Sequence, residues 1–142
     1  MKFNEDDRAQ RLIDVFPILD GQINISYVNS TDHIVAWHKH EIQTDYWCCI
    51  KGSIKVGIAE PDEKNLSIYG PDSPNSYNVK WEFLSDKNPT KTLMIPPGSY
   101  HGYKALEQGS ILLYYLTHKY NPNDELRAQV GFFGENWNTP DK

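Results

Sequence analysis

The sequence predicts an all-β fold, a barrel or sandwich in which one sheet curls around a pocket. Three observations predict it. Apolar and polar residues alternate at period two over much of the chain. Nine Gly and nine Pro are spread through 142 residues, the punctuation of many turns between short strands. Only residues 5–15 and 124–130 leave room for a helical turn or two.

Taken in order, Ile23, Ile25 and Tyr27 point one way along a strand and Asn24 and Ser26 the other. Residues 46–59 read as strand, turn, strand: Lys51-Gly52-Ser53 breaks the run, and Ile54, Val56 and Ile58 carry an inner face beyond it. Residues 61–76, rich in Pro, Asn, Asp and Ser, read as a long loop. Residues 77–84 and 90–95 are further strands, and residues 111–118 are a strong β run of branched and aromatic side chains. The length suits one core, so residues 1–142 are expected to form a single domain.

Charge narrows the function. With 14 basic and 19 acidic residues the net charge is −5, and no basic run is present, which argues against a nucleic-acid partner. No run of about 20 apolar residues is available to span a membrane, and residues 1–11 lack the apolar centre of a signal peptide. Cys48 and Cys49 are neighbours that point to opposite faces of a strand, so they read as unpaired core residues of a reducing compartment. A soluble, cytoplasmic protein is expected.

The placing of the five histidines is the main functional clue. His38 and His40 leave the same face of one strand. Asp45 and the turn residue Gly52 follow, and Pro96-Pro97-Gly98-Ser99-Tyr100-His101 comes some fifty residues later. This H-x-H-x4-D-x6-G and P-x-G-x2-H pattern resembles the two motifs of the cupin superfamily, with Asp45 where the usual ligand is Glu. The resemblance implies a cupin jelly roll, a double-stranded β-helix. His33 and His118 fall outside the pattern and read as ordinary polar residues. One chemistry for the set is a divalent transition metal (Fe, Mn, Ni or Zn) held by His38, His40, Asp45 and His101, as in a metal-dependent dioxygenase or isomerase.

A wider resemblance points to a metal-free alternative. Gln22 to Ser26, Trp37-His38, His101-Gly102-Tyr103, Tyr114 and Tyr120-Asn121-Pro122-Asn123-Asp124-Glu125 are similar to motifs of the dTDP-4-dehydrorhamnose 3,5-epimerase family. Asp7-Arg8 is similar to that family's nucleotide contact, with Ala9 in place of a Gly. The resemblance implies an isomerase that epimerises a nucleotide-linked 4-keto-6-deoxyhexose without a cofactor. His38 would remove a proton next to the ketone and Tyr114 would return one from the opposite face. An imidazole, whose ordinary pKa lies near neutrality, suits the first task. The enolate oxygen needs fixed donors, a place for His101 or Tyr46. Asn24, His40, Trp47 and Tyr120 are further substrate-binding candidates, while Arg8, Lys39 and Lys55 are candidate phosphate contacts, Lys55 reading better as a surface charge.

Three departures stand out. Val35 occupies the place of the family's phosphate-gripping Arg, and Asp45 that of its enolate-stabilising Lys. The chain also ends at Thr139-Pro140-Asp141-Lys142, before the segment carrying the Asp that orients the family's base. His38 to Gly52 and Ile95-Pro96-Pro97 also resemble the nucleotide-sugar 3,4-ketoisomerases, in which two histidines shuttle protons between C3 and C4, a role that would fall to His40. A non-catalytic sugar-binding cupin is the remaining alternative. By analogy with related cupins the chain is expected to pair as a homodimer.

Overall fold

The computed structural model describes residues 2–13, 15–16, 20–87 and 91–138. In chain order the strands are β1 (Lys2–Glu5), β2 (Gln10–Ile13), β3 (Gln22–Tyr27), β4 (Ile34–Lys39), β5 (Asp45–Lys51) and β6 (Ser53–Pro61). After the helix α1 (Glu63–Tyr69) come β7 (Tyr77–Ser85), β8 (Leu93–Ile95), β9 (Tyr100–Ala105), β10 (Ile111–Leu116) and β11 (Leu126–Arg127). All pairings are antiparallel. A four-stranded sheet runs β3-β10-β5-β8, and a five-stranded sheet runs β11-β4-β9-β6-β7. β1 and β2 form a separate two-stranded ribbon. Of the expected strand over residues 90–95, Leu93–Ile95 is present, and Thr90 lies outside the described residues.

The two larger sheets face each other across a core. Trp47, Cys49 and Leu112 come from one sheet and Ile54, Val56, Ile58 and Leu84 from the other, with Ile95 at the edge. The expected inner face of Ile54, Val56 and Ile58 is observed. The β5–β6 turn pivots on Gly52 at φ +77°, a left-handed conformation that costs glycine least. A Cβ there would also run into the Ser110 side chain. Cys48 and Cys49 are both buried and unpaired.

A second cluster covers the outer face of the five-stranded sheet, where Trp37, Ala59, Tyr77, Tyr100 and Trp137 pack with Leu66 of α1 and with Phe133. β6 is therefore buried on both faces, which corrects the surface reading of Lys55. That residue is 1% exposed, its Nζ lying 4.5 Å from the Trp81 ring centroid. Lys39 is buried under the same layer, and its Nζ donates to Tyr77 Oη at 2.9 Å.

Local chemistry explains the other departures. Where helical turns are expected over residues 5–15, residues 5–13 belong to the β1–β2 hairpin, because the Asp6 carboxylate accepts from the Arg8 and Ala9 amides at 2.8 and 3.1 Å and fixes a turn. The expected loop of residues 61–76 contains α1, capped by Asp62, whose Oδ1 accepts from Asn65 N at 3.0 Å. Residues 124–130 hold the end of a 3-10 turn (Pro122–Asp124) and β11 rather than a helix. Backbone hydrogen bonds between Trp37 and Ala128 clamp that segment along β4. On β3 the apolar residues Ile23, Ile25 and Tyr27 face solvent, at 50%, 49% and 70% exposure, and the polar side of the strand faces the core. Among the described residues no helix is long and apolar enough to cross a membrane.

Candidate active site

Alternation along β4 sends Trp37 and Lys39 into the outer aromatic layer and His38 and His40 into the space between the sheets. β9 brings His101 beside them: His38 and His101 are register partners, and their ring centroids lie 6.3 Å apart. This close approach of strands accounts for Gly102, where any Cβ would run into the Ala36 side chain and the Val35 carbonyl. The His40 ring stacks on His101 at 5.4 Å and 28°. His40 Nδ1 lies 2.9 Å from the Asp124 carbonyl oxygen. Facing a carbonyl, which can only accept, Nδ1 is the donor of that bond.

The facing sheet supplies Asp45, Trp47 and Tyr114. Asp45 is 3% exposed, and its carboxylate accepts from Gln43 Nε2 at 2.6 Å and from Trp47 Nε1 at 3.1 Å. Tyr114 Oη accepts a bond from Ser26 Oγ at 3.3 Å. Trp47 sets its ring edge against His101 at 5.2 Å and against Tyr103 at 5.7 Å. Together these groups line a cavity of about 220 Å³ whose wall also includes Asn24, Leu112, Tyr120 and Glu125. His38, His40, His101, Tyr114, Asn24, Trp47 and Tyr120 thus converge as expected from the sequence.

Four candidates do not join them, Lys39 and Lys55 being buried against the outer aromatic rings. Tyr46 faces the outside of its sheet, stacked on Tyr115 at 6.0 Å, because Asp45 and Trp47 on either side take the inner positions. Arg8 sits on the β1–β2 hairpin, paired with Asp6 at 2.8 Å and 78% exposed. Among the described residues the cavity lining holds no Lys or Arg, and Val35 is part of it. Residues beyond those expected are also present: Gln43, Tyr103 and Glu125 line the cavity, and Asp124 holds it from behind. Tyr103 and Glu125 stand in motifs already visible in the sequence, whereas Gln43 carries no local signal.

Burial dominates the electrostatics. It lowers the pKa of His101 to about 3, with His40 and His38 adding to the effect. His101 is therefore neutral at physiological pH, so its 3.7 Å approach to Asp45 Oδ2 is of ion-pair length without being an ion pair. Its Nε2 is buried without a hydrogen-bond partner. Burial also lowers the pKa of His38, against the opposing pull of Glu125, and raises that of Asp45. Unfolding returns His101 to its ordinary range near 6.5, so the unfolded chain binds the extra proton and stability falls as pH drops below 6.5. Between pH 7.5 and 5.5 His101 alone should remove about 1 kcal/mol. His38 adds in the same direction and Asp45 works against them. Denaturant melts at the two pH values check this, and the His101→Gln variant should show a flatter dependence.

The same cavity holds a donor set for a metal ion. His40, Asp45 and His101 each offer one ligand atom, all within 4.8 Å of one another. Two imidazoles, one of them with an unpartnered Nε2, and a carboxylate fit a divalent transition metal in donor type. His38, expected as a fourth ligand, stands outside this group.

A jelly roll of two antiparallel sheets with paired histidines inside places the protein among the cupins. No protein-family model matches the chain. It is 30% identical over 111 residues, 75% of its length and 68% of the relative's, to the spore coat polysaccharide biosynthesis protein SpsL of Bacillus subtilis. It is 29% identical over 140 residues, 93% of its length and 83% of the relative's, to the "Probable low-salt glycan biosynthesis epimerase Agl13" of Haloferax volcanii. The fold matches the dTDP-4-dehydrorhamnose 3,5-epimerase of Sulfolobus tokodaii with a TM-score of 0.75, at 24% identity over 96% of this chain and 77% of that one. It matches the sugar 3,4-ketoisomerase QdtA of Thermoanaerobacterium thermosaccharolyticum with a TM-score of 0.69, at 20% identity over 94% and 88%. The chain belongs to the cupin-fold family of nucleotide-sugar epimerases and isomerases typified by dTDP-4-dehydrorhamnose 3,5-epimerase.

Proposed function

We propose that the protein is an isomerase of a nucleotide-linked 4-keto-6-deoxyhexose, working by proton abstraction next to the ketone. The observation that carries this reading is that His38 and Tyr114 line one cavity from opposite sheets. A proton taken from one face of a sugar ring can then be replaced from the other, as inversion of a carbon centre requires. His38 is the base and Tyr114 the acid. His101, neutral and with its ring centroid 6.3 Å from that of His38, borders the same space and faces the developing oxyanion. Asn24, His40, Trp47 and Tyr120 shape the sugar subsite, and with no cation in the described lining the diphosphate lies outside the cavity.

The test is incubation with dTDP-4-keto-6-deoxyglucose in deuterated water. Deuterium entering at C3 or C5 with inversion is the expected result, and no uptake at either carbon overturns the reading. A 3-keto product would assign the chain to the ketoisomerases, with His40 as the second proton carrier.

A second reading rests on His40, Asp45 and His101. These residues would hold a divalent transition metal, which supplies a Lewis acid for a carbonyl oxygen when bound. Purified protein with less than about a tenth of an equivalent of metal, and no gain on reconstitution, excludes this reading.

The active form is a homodimer. Ile23, Ile25, Tyr27, Ile50 and Met94 leave an apolar outer face on the four-stranded sheet, larger and more continuous than single exposed side chains. The β1–β2 ribbon, marginal alone, adds Phe3 and Ile13 to the exposed apolar surface. A cytoplasmic location is in keeping with the two unpaired cysteines.

A further inference from the structure

We propose that Glu125 is the positioning residue of His38. This rests on the isomerase reading above. Glu125 Oε1 lies 3.8 Å from His38 Nε2, and the two side chains are 15% and 25% exposed. The other oxygen, Oε2, accepts from Arg127 Nη2 at 3.2 Å. One carboxylate oxygen is thereby anchored and the other is turned toward the imidazole.

The backbone enforces this arrangement. β11 pairs with β4 so that Arg127 is opposite His38 and Leu126 opposite Lys39. The bonds between Trp37 and Ala128, 3.0 and 3.1 Å long, close the far end of the pairing. At the near end the Asp124 carboxylate accepts from the amides of Glu41, Ile42 and Gln43 at 3.0, 3.2 and 3.3 Å, and its carbonyl receives His40. The segment that delivers Glu125 is thus fastened on both sides of the histidine pair.

The chemistry needs such a group. A carboxylate facing Nε2 favours the tautomer with the proton on Nε2, which leaves the Nδ1 lone pair to take the proton from the sugar. In the 3.8 Å arrangement the pair is in ion-pair range and beyond a hydrogen bond. The positive charge that arrives on the ring with the substrate proton draws the two together. The proton stays on His38 until it exchanges with solvent or returns to the sugar, and no other reactant is consumed. Arg127, 70% exposed, neutralises part of the carboxylate's charge and keeps it from swinging away.

The experiment is a double-mutant cycle on the full chain with dTDP-4-keto-6-deoxyglucose in deuterated water, following exchange at C3 and C5 together with kcat and KM. Glu125→Gln should lower kcat and the exchange rate about 100-fold, with KM changed less than about threefold. In the His38→Ala background the same replacement should change the residual rate by less than about twofold. Glu125→Asp keeps the charge on a shorter side chain and should fall between, about tenfold below the wild type, which serves if Glu125→Gln does not fold. A loss of less than about threefold in Glu125→Gln, or equal losses with and without His38, overturns the positioning role while leaving the isomerase reading intact. A wild-type chain that exchanges no deuterium overturns that reading, and this one with it.

Discussion

The His38→Ala variant should lose deuterium exchange at C3 and C5 by about 1,000-fold or more, while still binding the nucleotide sugar. The size of the effect follows from what the proton transfer needs. The hydrogen next to a ketone is removed only by a base held within hydrogen-bond reach of it. His40 leans against His101 with its Nδ1 committed to the Asp124 carbonyl. His101 is neutral and buried, with a pKa held near 3, which makes it a feeble base. Asp45 is occupied by two N–H donors. His101 and Asp45 therefore do not substitute for the missing imidazole, and His40, in the same cavity, is the competing base. Truncating a side chain that is 25% exposed should leave the fold nearly unchanged, so a normal melting temperature beside the lost exchange separates chemistry from stability. Exchange within tenfold of the wild type would move the base to His40 and favour the ketoisomerase outcome.

The parts of this site that were legible in the sequence share one cause. Alternation along a strand decides which neighbours share a face, so His38 with His40, or Leu112 with Tyr114 and Leu116, could be grouped before any coordinates. Alternation does not say which face is inside. On β3 the apolar side turns outward and Asn24 lines the cavity; on β5 the two aromatics Tyr46 and Trp47 compete, and only Trp47 is inside. Lys39 and Lys55 carried the hydrophilic signal of a surface, yet Tyr77 and Tyr100 flank the Lys39 ammonium and Trp81 that of Lys55. The Asp62 cap was a readable helix start, masked by a composition that otherwise favours loops. Glu125 was visible as part of a motif, but its partner could not be, because the pairing of β11 with β4 joins segments some ninety residues apart and leaves no local trace.

The Tyr114→Phe variant tests the other half of the chemistry, and its expected result has a different shape. Formation of the inverted sugar should fall about 100-fold or more, while deuterium exchange at the abstracted position stays within about tenfold of the wild type. With His38 intact the enolate still forms. Without the phenol the proton returns from the face it left, so the carbon exchanges with solvent and keeps its configuration. The replacement removes only an oxygen whose recorded partner is Ser26 Oγ at 3.3 Å, and the ring keeps its place against Trp47 at 6.3 Å, so the cavity keeps its shape. Tyr103 is the competing acid, since its phenol lines the same cavity. Should Tyr103→Phe lower product formation and Tyr114→Phe not, the acid sits on β9, in the same sheet as His38. Base and acid would then share a wall, an arrangement that returns the proton to the face it came from and suits a 3,4-shift rather than an inversion. The two tyrosine variants therefore decide between epimerase and ketoisomerase by the stereochemistry of a single deuterium.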